Sequence, residues 1–303
     1  MNTAFIKEKL SEKIESKRIF ENESMSSHTT FRCGGNSALF VVVNDVDELR
    51  YVLSLVKALN TSYLVLGNGS NTLFSSRGYD GVVIKLSGDF NEIIVDGDTI
   101  LAGSGALLSY VSKVAATNGL SGMEALSGIP GSIGGAIYMN AGAYDHSISE
   151  IISTVTAIDK DGDIFEYDVS ELEMSYRHSL FSDNENIIIS CKLQLHVDDT
   201  EAIESRMSEY TKRRKEKQPL SFPSAGSFFK RPEGHFAGAL IEETGLKGFR
   251  VGGAEVSTLH AGFIVNSDNA TADDVIELSK EVIEKVYEKT GVKLQPEVRI
   301  IGE

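Results

Sequence analysis

Two glycine-rich segments about sixty residues apart, Gly67-Asn68-Gly69-Ser70-Asn71 and Ser127-Gly128-Ile129-Pro130-Gly131-Ser132-Ile133-Gly134-Gly135, each follow or abut an apolar run. The chemistry they offer is anion binding. Successive N–H groups with few side chains to screen them can converge on one negative charge, and glycine tolerates the positive φ that such a nest requires. Alone, either segment also reads as a tight corner with no ligand. Two in one chain point to a cradle for a diphosphate. The first segment and Gly103-Ser104-Gly105 both lack the third glycine of the dinucleotide fingerprint, and no Gly-Lys-Ser/Thr ending marks a P-loop. What remains is a nucleotide diphosphate gripped by backbone from two loops, which suits a large cofactor. Two other clusters stand out. Lys212-Arg213-Arg214-Lys215 reads either as a solvated helix end complementing the macrodipole or as a phosphate clamp. Ser224-Ala225-Gly226-Ser227-Phe228-Phe229-Lys230-Arg231-Pro232 is a polar turn inside an apolar stretch, an unusual place for serine chemistry.

The composition limits what these residues can serve. A chain of 303 residues, 41% hydrophobic, has material for two or three ordinary domains. A net charge of −15 argues against a general nucleic-acid or anionic-membrane binder, so anionic ligands must be held locally. Cys33 and Cys191 are too few for a disulfide framework and have no metal-ligand spacing, which suits structural thiols in a reducing compartment. The first twenty residues mix charges with sparse apolar positions, unlike a signal peptide or a transmembrane span. A cytoplasmic location is expected. The six histidines lack metal spacing, with His28, His178 and His235 read as polar or packing residues, and no metal is expected.

The elements that must position the loops follow from periodicity. Phe5, Ile6, Leu10, Ile14 and Ile19 are spaced for a short amphipathic helix or two. A strand over Ala38 to Val43, a helix over Asp45 to Leu59 and a strand over Tyr63 to Leu66 form a βαβ-like unit that delivers the chain into the first glycine turn. Val82 to Leu86, Glu92 to Val95 and Thr99 to Ala102 read as an antiparallel meander. A helix over Leu107 to Asn118 stops at Gly119 before the second glycine region, and Ile151 to Asp159, Ile164 to Asp168 and Ile187 to Val197 build a second sheet. A charged helix over Glu201 to Lys217 follows. The last helix spans Thr271 to Thr290, with Thr271 as N-cap, Asp274 at the box position and Gly291 as stop.

Six ordered motifs carry a resemblance over nearly the whole chain. They are Thr30-Phe31-Arg32-Cys33-Gly34-Gly35, Leu66-Gly67-Asn68-Gly69-Ser70-Asn71, Gly128-Ile129-Pro130-Gly131-Ser132-Ile133-Gly134-Gly135-Ala136, Ser175-Tyr176-Arg177, Gly226-Ser227 and Pro296-Glu297-Val298-Arg299. Together they resemble the UDP-N-acetylenolpyruvoylglucosamine reductase (MurB) family. The short stretch after Ala143-Tyr144 is similar to the family's compact type, which lacks an inserted substrate-capping loop. Asp145 departs from the glycine expected there and puts that turn's geometry in question.

The resemblance implies an α+β fold: residues 1–29 as an N-terminal helical segment packed on the body, 30–198 as a vanillyl-alcohol-oxidase-like (PCMH-type) FAD-binding domain in two subdomains, and 199–303 as an α+β substrate-binding domain. It implies FAD as cofactor and NADPH as hydride donor, a UDP-sugar enolpyruvyl ether as substrate, and a place in peptidoglycan precursor synthesis. A monomer is expected. An enolpyruvyl alkene is a poor hydride acceptor, so such a site must stabilise an enediolate-like anion and then protonate it. Arg177 would bind the carboxylate bidentately, Ser227 would be the proton donor to carbon, and Glu297 would orient the developing carboxylate system. The plainer alternatives are a surface salt bridge, a turn hydroxyl bonding local backbone, and an exposed strand carboxylate. For FAD, Gly67, Asn68, Gly69, Ser70 and Asn71 are expected around the diphosphate. Ser127, Gly131, Ser132, Gly134 and Gly135 are expected on its other side, and Asn140 and Ala143 at the flavin ring. Tyr176, Arg213, Lys230, Arg231 and His235 are candidates for diphosphate or sugar contacts, with plain surface roles as the alternative. Two other functions stay open at this point: an FAD-dependent oxidase on the same scaffold, and a non-catalytic nucleotide-sugar-binding or FAD-binding module.

Overall fold

The computed structural model describes residues 1–302. They form two compact units: Met1–Glu21, Leu39–Asn68 and Gly81–Arg213 make the first, and Asn22–Ala38, Gly69–Asp80 and Arg214–Glu303 the second.

In the first unit, a sheet in the order Ile19–Ser24, Asn36–Val43, Tyr79–Leu86, Tyr63–Val65 is covered by the helix Val46–Ala58. Asp45 caps that helix, its carboxylate accepting from Glu48 N–H at 2.8 Å, and Leu49, Val52, Leu53 and Val56 face the core. The N-terminal helix Thr3–Leu10 buries Ile6 and Leu10, spaced i and i+4, and leaves Phe5 exposed. Tyr79–Leu86 departs from the expected meander. It pairs in parallel with Tyr63–Val65, with Leu64 opposite Val83. The physical reason is its unbroken buried run over residues 81–84, which needs cover on both faces as an inner strand of this kind has.

The two remaining meander strands instead join the second sheet, whose order is Ile164–Asp168, Ile152–Ile158, Ile187–Gln194, Thr99–Gly103, Ile93–Asp96, antiparallel throughout. Helices Leu108–Thr117 and Ile133–Tyr138 pack into the same core through Leu108, Val111, Ile133 and Ile137. Cys191 lies inside it, and burial pushes its thiol up to about 12.

The helix Thr200–Lys217 buries only Ile203, so polar ties hold it. Arg206 donates to Glu124 at 2.7 Å and to Asp198 at 2.6 Å. Burial pushes the Glu124 carboxyl up, but Arg206, the Gly122 N–H and the Ser121 hydroxyl outweigh it and hold the group below its ordinary value. Arg206→Ala therefore strands a buried carboxylate and is expected to cost about 2–3 kcal/mol at neutral pH. A depressed carboxyl contributes stability above its ordinary value and loses it as pH falls. The gap between variant and wild type in urea titrations should therefore narrow as pH falls below about 4.5.

The second unit is built on an antiparallel sheet in the order Ser224–Ser227, Phe263–Asn266, Ala254–Val256, Arg250–Val251. Helices Ala237–Glu243 and Ala272–Thr290 pack on it, and Phe31, Phe228, Ile241, Val275 and Val282 share the core. The long helix has the expected capping box, Asp274 N–H to Thr271 Oγ1 at 3.1 Å with Thr271 N–H to Asp274 Oδ2 at 2.9 Å, and ends on Gly291 at φ 73°. Arg299–Ile301 pairs in parallel with Thr72–Phe74.

Candidate functional site

The two glycine loops meet within the first unit. The Asn68 amide Nδ2 donates to the Pro130 carbonyl at 2.6 Å, and a Cβ added at Gly67 would lie 2.7 Å from Ser132 Oγ. Ser132 is the N-cap of the short helix Ile133–Tyr138, its Oγ accepting from Gly135 N–H at 3.3 Å. Gly131 O accepts from Leu108 N–H, and Ser127 Oγ donates to Glu124 O at 2.7 Å. Gly134 N–H donates at 2.8 Å to the carbonyl of Ser104, and a Cβ there would stand 3.0 Å from Ser104 Cβ, so a side chain at this position would crowd Ser104. Gly135 is exposed.

The rest of the first loop belongs to the second unit. Gly69 sits at φ 61°, and a Cβ there would be 2.1 Å from His28 O. Asn71 ties the loop to the C-terminal strand: its Nδ2 donates to Glu297 O at 3.2 Å, and its own carbonyl accepts from Arg299 N–H at 3.0 Å. Ser70 lies between them, partly exposed.

The Arg177 turn is held from several sides. Ser175 and His178 bridge each other, and Arg177 sits at φ 57°, a left-handed conformation that costs energy in a non-glycine residue. Its guanidinium lies 5.0 Å from the centroid of the Tyr176 ring, which is itself exposed. Asn140, also left-handed at φ 40°, donates from Nδ2 to Ser175 O at 3.0 Å, and Ser179 Oγ donates to Tyr138 O at 2.9 Å. His178 bonds Asp183 Oδ2 at 2.9 Å and Glu173 O at 3.2 Å, and these two partners raise the imidazole above its ordinary value. A raised histidine contributes stability that is complete below about pH 6.5 and fades as pH rises through the folded-state value. His178 should therefore titrate above about 6.5 by NMR, and Asp183→Asn should bring it back down.

Ala143 lies in the hairpin Gly142–Ala143/His146–Ser147, whose central residues Tyr144 and Asp145 sit at φ 55° and 66°. The turn thus keeps the left-handed pair of a type I′ connection although Asp145 replaces the expected glycine. Tyr144 stabilises it by stacking on Tyr210 at 4.7 Å and donating its hydroxyl to Tyr210 O at 3.2 Å. Arg213, on the same helix as Tyr210, pairs with Glu209.

In the second unit, Gly226 at φ 78° and a register shift in the strand Ser224–Ser227 form a bulge. Such bulges re-aim a side chain. Ser227 is exposed and its hydroxyl makes no hydrogen bond among the described residues. Glu297 N–H donates to Phe228 O at 2.8 Å, Phe229 bridges Pro296, and Lys230 N–H donates to Gln295 O at 2.8 Å. These pairings set the Ser227 and Glu297 segments side by side. Arg231 lies over the ring of Phe236 at 4.6 Å, and His235 is exposed in the same turn. Of the three residues expected to do chemistry, Arg177 belongs to the first unit, and Ser227 and Glu297 belong to the second.

Proteins of known kind share this chain almost end to end. A UDP-N-acetylenolpyruvoylglucosamine reductase of Clostridium novyi is 44% identical over 298 residues, 98% of this chain and 97% of its own. The chain belongs to the UDP-N-acetylenolpyruvoylglucosamine reductase family. Another member of the family, from Clostridium botulinum strain Eklund 17B, is 48% identical over 93% of each chain. The crystal structure of the reductase from Thermus caldophilus matches with a TM-score of 0.80 and 37% identity, covering 91% of this chain and 97% of that one. The family model for the C-terminal domain of the reductase matches residues 218–301, and a model for an FAD binding domain matches residues 37–168. As a reductase family member the chain is an FAD-containing oxidoreductase with an α+β fold.

The residues present fit that cofactor. The Gly67 corner would be filled by a Cβ, and two buried polar atoms near the second loop, Ser104 Oγ and Asn140 Oδ1, have no hydrogen-bond partner among the described residues. In the sequence, Gly103-Ser104-Gly105 shows only an incomplete dinucleotide fingerprint, which gives no sign of the orphaned Ser104 hydroxyl. Half-buried Lys85 is a second residue with only a faint sequence signal. Its ammonium donates to Gly67 O, and the detectable signal was one charge inside the run Val82-Val83-Ile84-Lys85-Leu86. Both thiols are buried, and burial raises Cys33 to about 12, which suits packing roles. No helix among the described residues is long and apolar enough to cross a membrane.

Proposed function

We propose that the chain reduces UDP-N-acetylglucosamine enolpyruvate to UDP-N-acetylmuramate with NADPH as reductant, a step of peptidoglycan precursor synthesis in the cytoplasm, acting as a monomer. Bound FAD would supply the hydride chemistry, relaying hydride from NADPH to the methylene carbon of the enolpyruvyl ether. Gly67, Asn68, Gly69, Ser70 and Asn71 on one side and Ser127, Gly131, Ser132, Gly134 and Gly135 on the other would hold its diphosphate, with Asn140 and Ala143 toward the ring. Residues 30–198 are assigned to the cofactor and 199–303 to the substrate. Negative charge then grows on the neighbouring carbon and its carboxylate. The Arg177 guanidinium binds that carboxylate, Glu297 orients it, and Ser227 gives its proton to the carbon. Tyr176, Arg213, Lys230, Arg231 and His235 contact the sugar or its diphosphate.

The observation that carries this assignment is Ser227. A serine serving only its turn would spend its hydroxyl on local backbone. Here Ser227 lies exposed on a bulge with its hydroxyl unbonded among the described residues, and the next residue, Phe228, accepts from Glu297 N–H. The visible spectrum of the purified protein tests the cofactor first: a flavin band is expected, and a colourless protein that takes up no FAD would refute the assignment.

A further inference from the structure

The strand Tyr79–Leu86 carries one cation, Lys85, near its end. Side chains alternate across a strand. Val82, Ile84 and Leu86 join the core under the helix Val46–Ala58, which puts Val83 and Lys85 on the opposite face of the sheet. The register Val65 opposite Ile84, followed by Leu66 N–H to Ile84 O at 2.9 Å, brings Lys85 level with the start of the first glycine loop. There its ammonium donates to Gly67 O. Gly67 is the residue that abuts Ser132, and the next residue, Asn68, bonds Pro130. Lys85 therefore stands where the two loops join.

No carboxylate among the described residues pairs with it, and burial holds its ammonium below the usual lysine range. A carbonyl dipole satisfies a donor but does not neutralise a charge, so the half-buried cation lacks a counterion among the described residues. Its place at the loop junction says where that counterion comes from.

We propose that Lys85 is the cation of the cofactor site, its charge matched by the FAD diphosphate at the junction of the two loops. Its hydrogen bond also occupies the Gly67 carbonyl, an acceptor that would otherwise repel an anion there. The proposal rests on FAD as the cofactor of the proposed reaction and is independent of the substrate.

The test strips flavin from the wild type, Lys85→Met, Lys85→Gln and Lys85→Arg, titrates FAD back at low and high KCl, and melts each apoprotein. Lys85→Met and Lys85→Gln should each raise the Kd for FAD at least about tenfold and flatten its salt dependence, whereas Lys85→Arg should stay within about threefold of wild type. The Lys85→Met apoprotein should melt no lower than wild type, because it has lost an uncompensated charge. Lys85→Gln can still donate to Gly67, so it separates charge from hydrogen bonding even if Lys85→Met does not fold. Wild-type affinity in Lys85→Gln would overturn the proposal. So would FAD affinity and apoprotein stability falling together with an unchanged salt slope, the behaviour of a purely structural lysine. Failure of the wild-type apoprotein to bind FAD would instead overturn the cofactor assignment itself.

Discussion

Replacing Ser227 by alanine is expected to slow the second half-reaction, transfer to the enolpyruvyl ether, by about 10²-fold or more, while bleaching of the flavin by NADPH continues as in wild type. The asymmetry follows from where the residue acts. A hydroxyl is a weak acid and gives its proton only to a strongly basic centre, which exists only after hydride has reached the substrate. Ser227 lies on an exposed bulge with no hydrogen bond among the described residues, so its removal leaves no buried group stranded and should barely change stability. Stopped-flow absorbance in two mixing steps reads the halves separately. Near wild-type speed in the second half would remove Ser227 from the chemistry. Equal slowing of both halves would point to a disturbed cofactor instead.

Gly67→Val should weaken FAD binding by about 10²-fold, close to 3 kcal/mol. The first atom added at this position would lie 2.7 Å from Ser132 Oγ, well inside contact distance. Either the first loop moves off the second, or Ser132 rotates away and gives up its bond to Gly135 N–H. Both disturb the junction at which Asn68 bonds Pro130. Gly67 does not sit at positive φ, so valine strains the backbone little there, and the apoprotein should lose far less stability than the holoprotein. Ser132→Gly should partly relieve the crowding, making the double variant bind FAD better than additivity allows. Strictly additive losses would show that the two loops do not share one ligand.

Much of this arrangement was legible in the sequence, because it is encoded locally. The cap at Thr271 announces itself through side-chain chemistry within a turn of the helix it closes, and the stop at Gly291 through the left-handed backbone that a residue without a side chain adopts freely. The glycine loops stood out because a bare backbone is a strong local signal, and their meeting through Asn68 and Pro130 is what a shared diphosphate would require. Features set by long-range pairing were not legible. Nothing near Tyr79–Leu86 shows that it pairs with Tyr63–Val65 instead of with its sequence neighbours, so periodicity alone gives a meander that the structure replaces, and it leaves Lys85 without a place. Asn71 reads as one more residue of the diphosphate loop, although its amide reaches Glu297 O, 226 positions away. Arg177 carries no mark in the sequence of its left-handed backbone, which is imposed by the Ser175–His178 bridge and the bond from Asn140. Asp145 is the converse case. The sequence put its turn in doubt, yet the left-handed pair persists, with Tyr144 anchored on Tyr210.

The measurement that tests the proposed reaction most directly is an anaerobic two-step titration of the flavin-loaded protein. NADPH should bleach the visible flavin band. Adding UDP-N-acetylglucosamine enolpyruvate, with oxygen still excluded, should restore the band and yield one UDP-N-acetylmuramate for each NADPH consumed. A band that stays bleached with the enolpyruvyl substrate and returns only when air is admitted would contradict the assignment and favour an oxidase on the same scaffold.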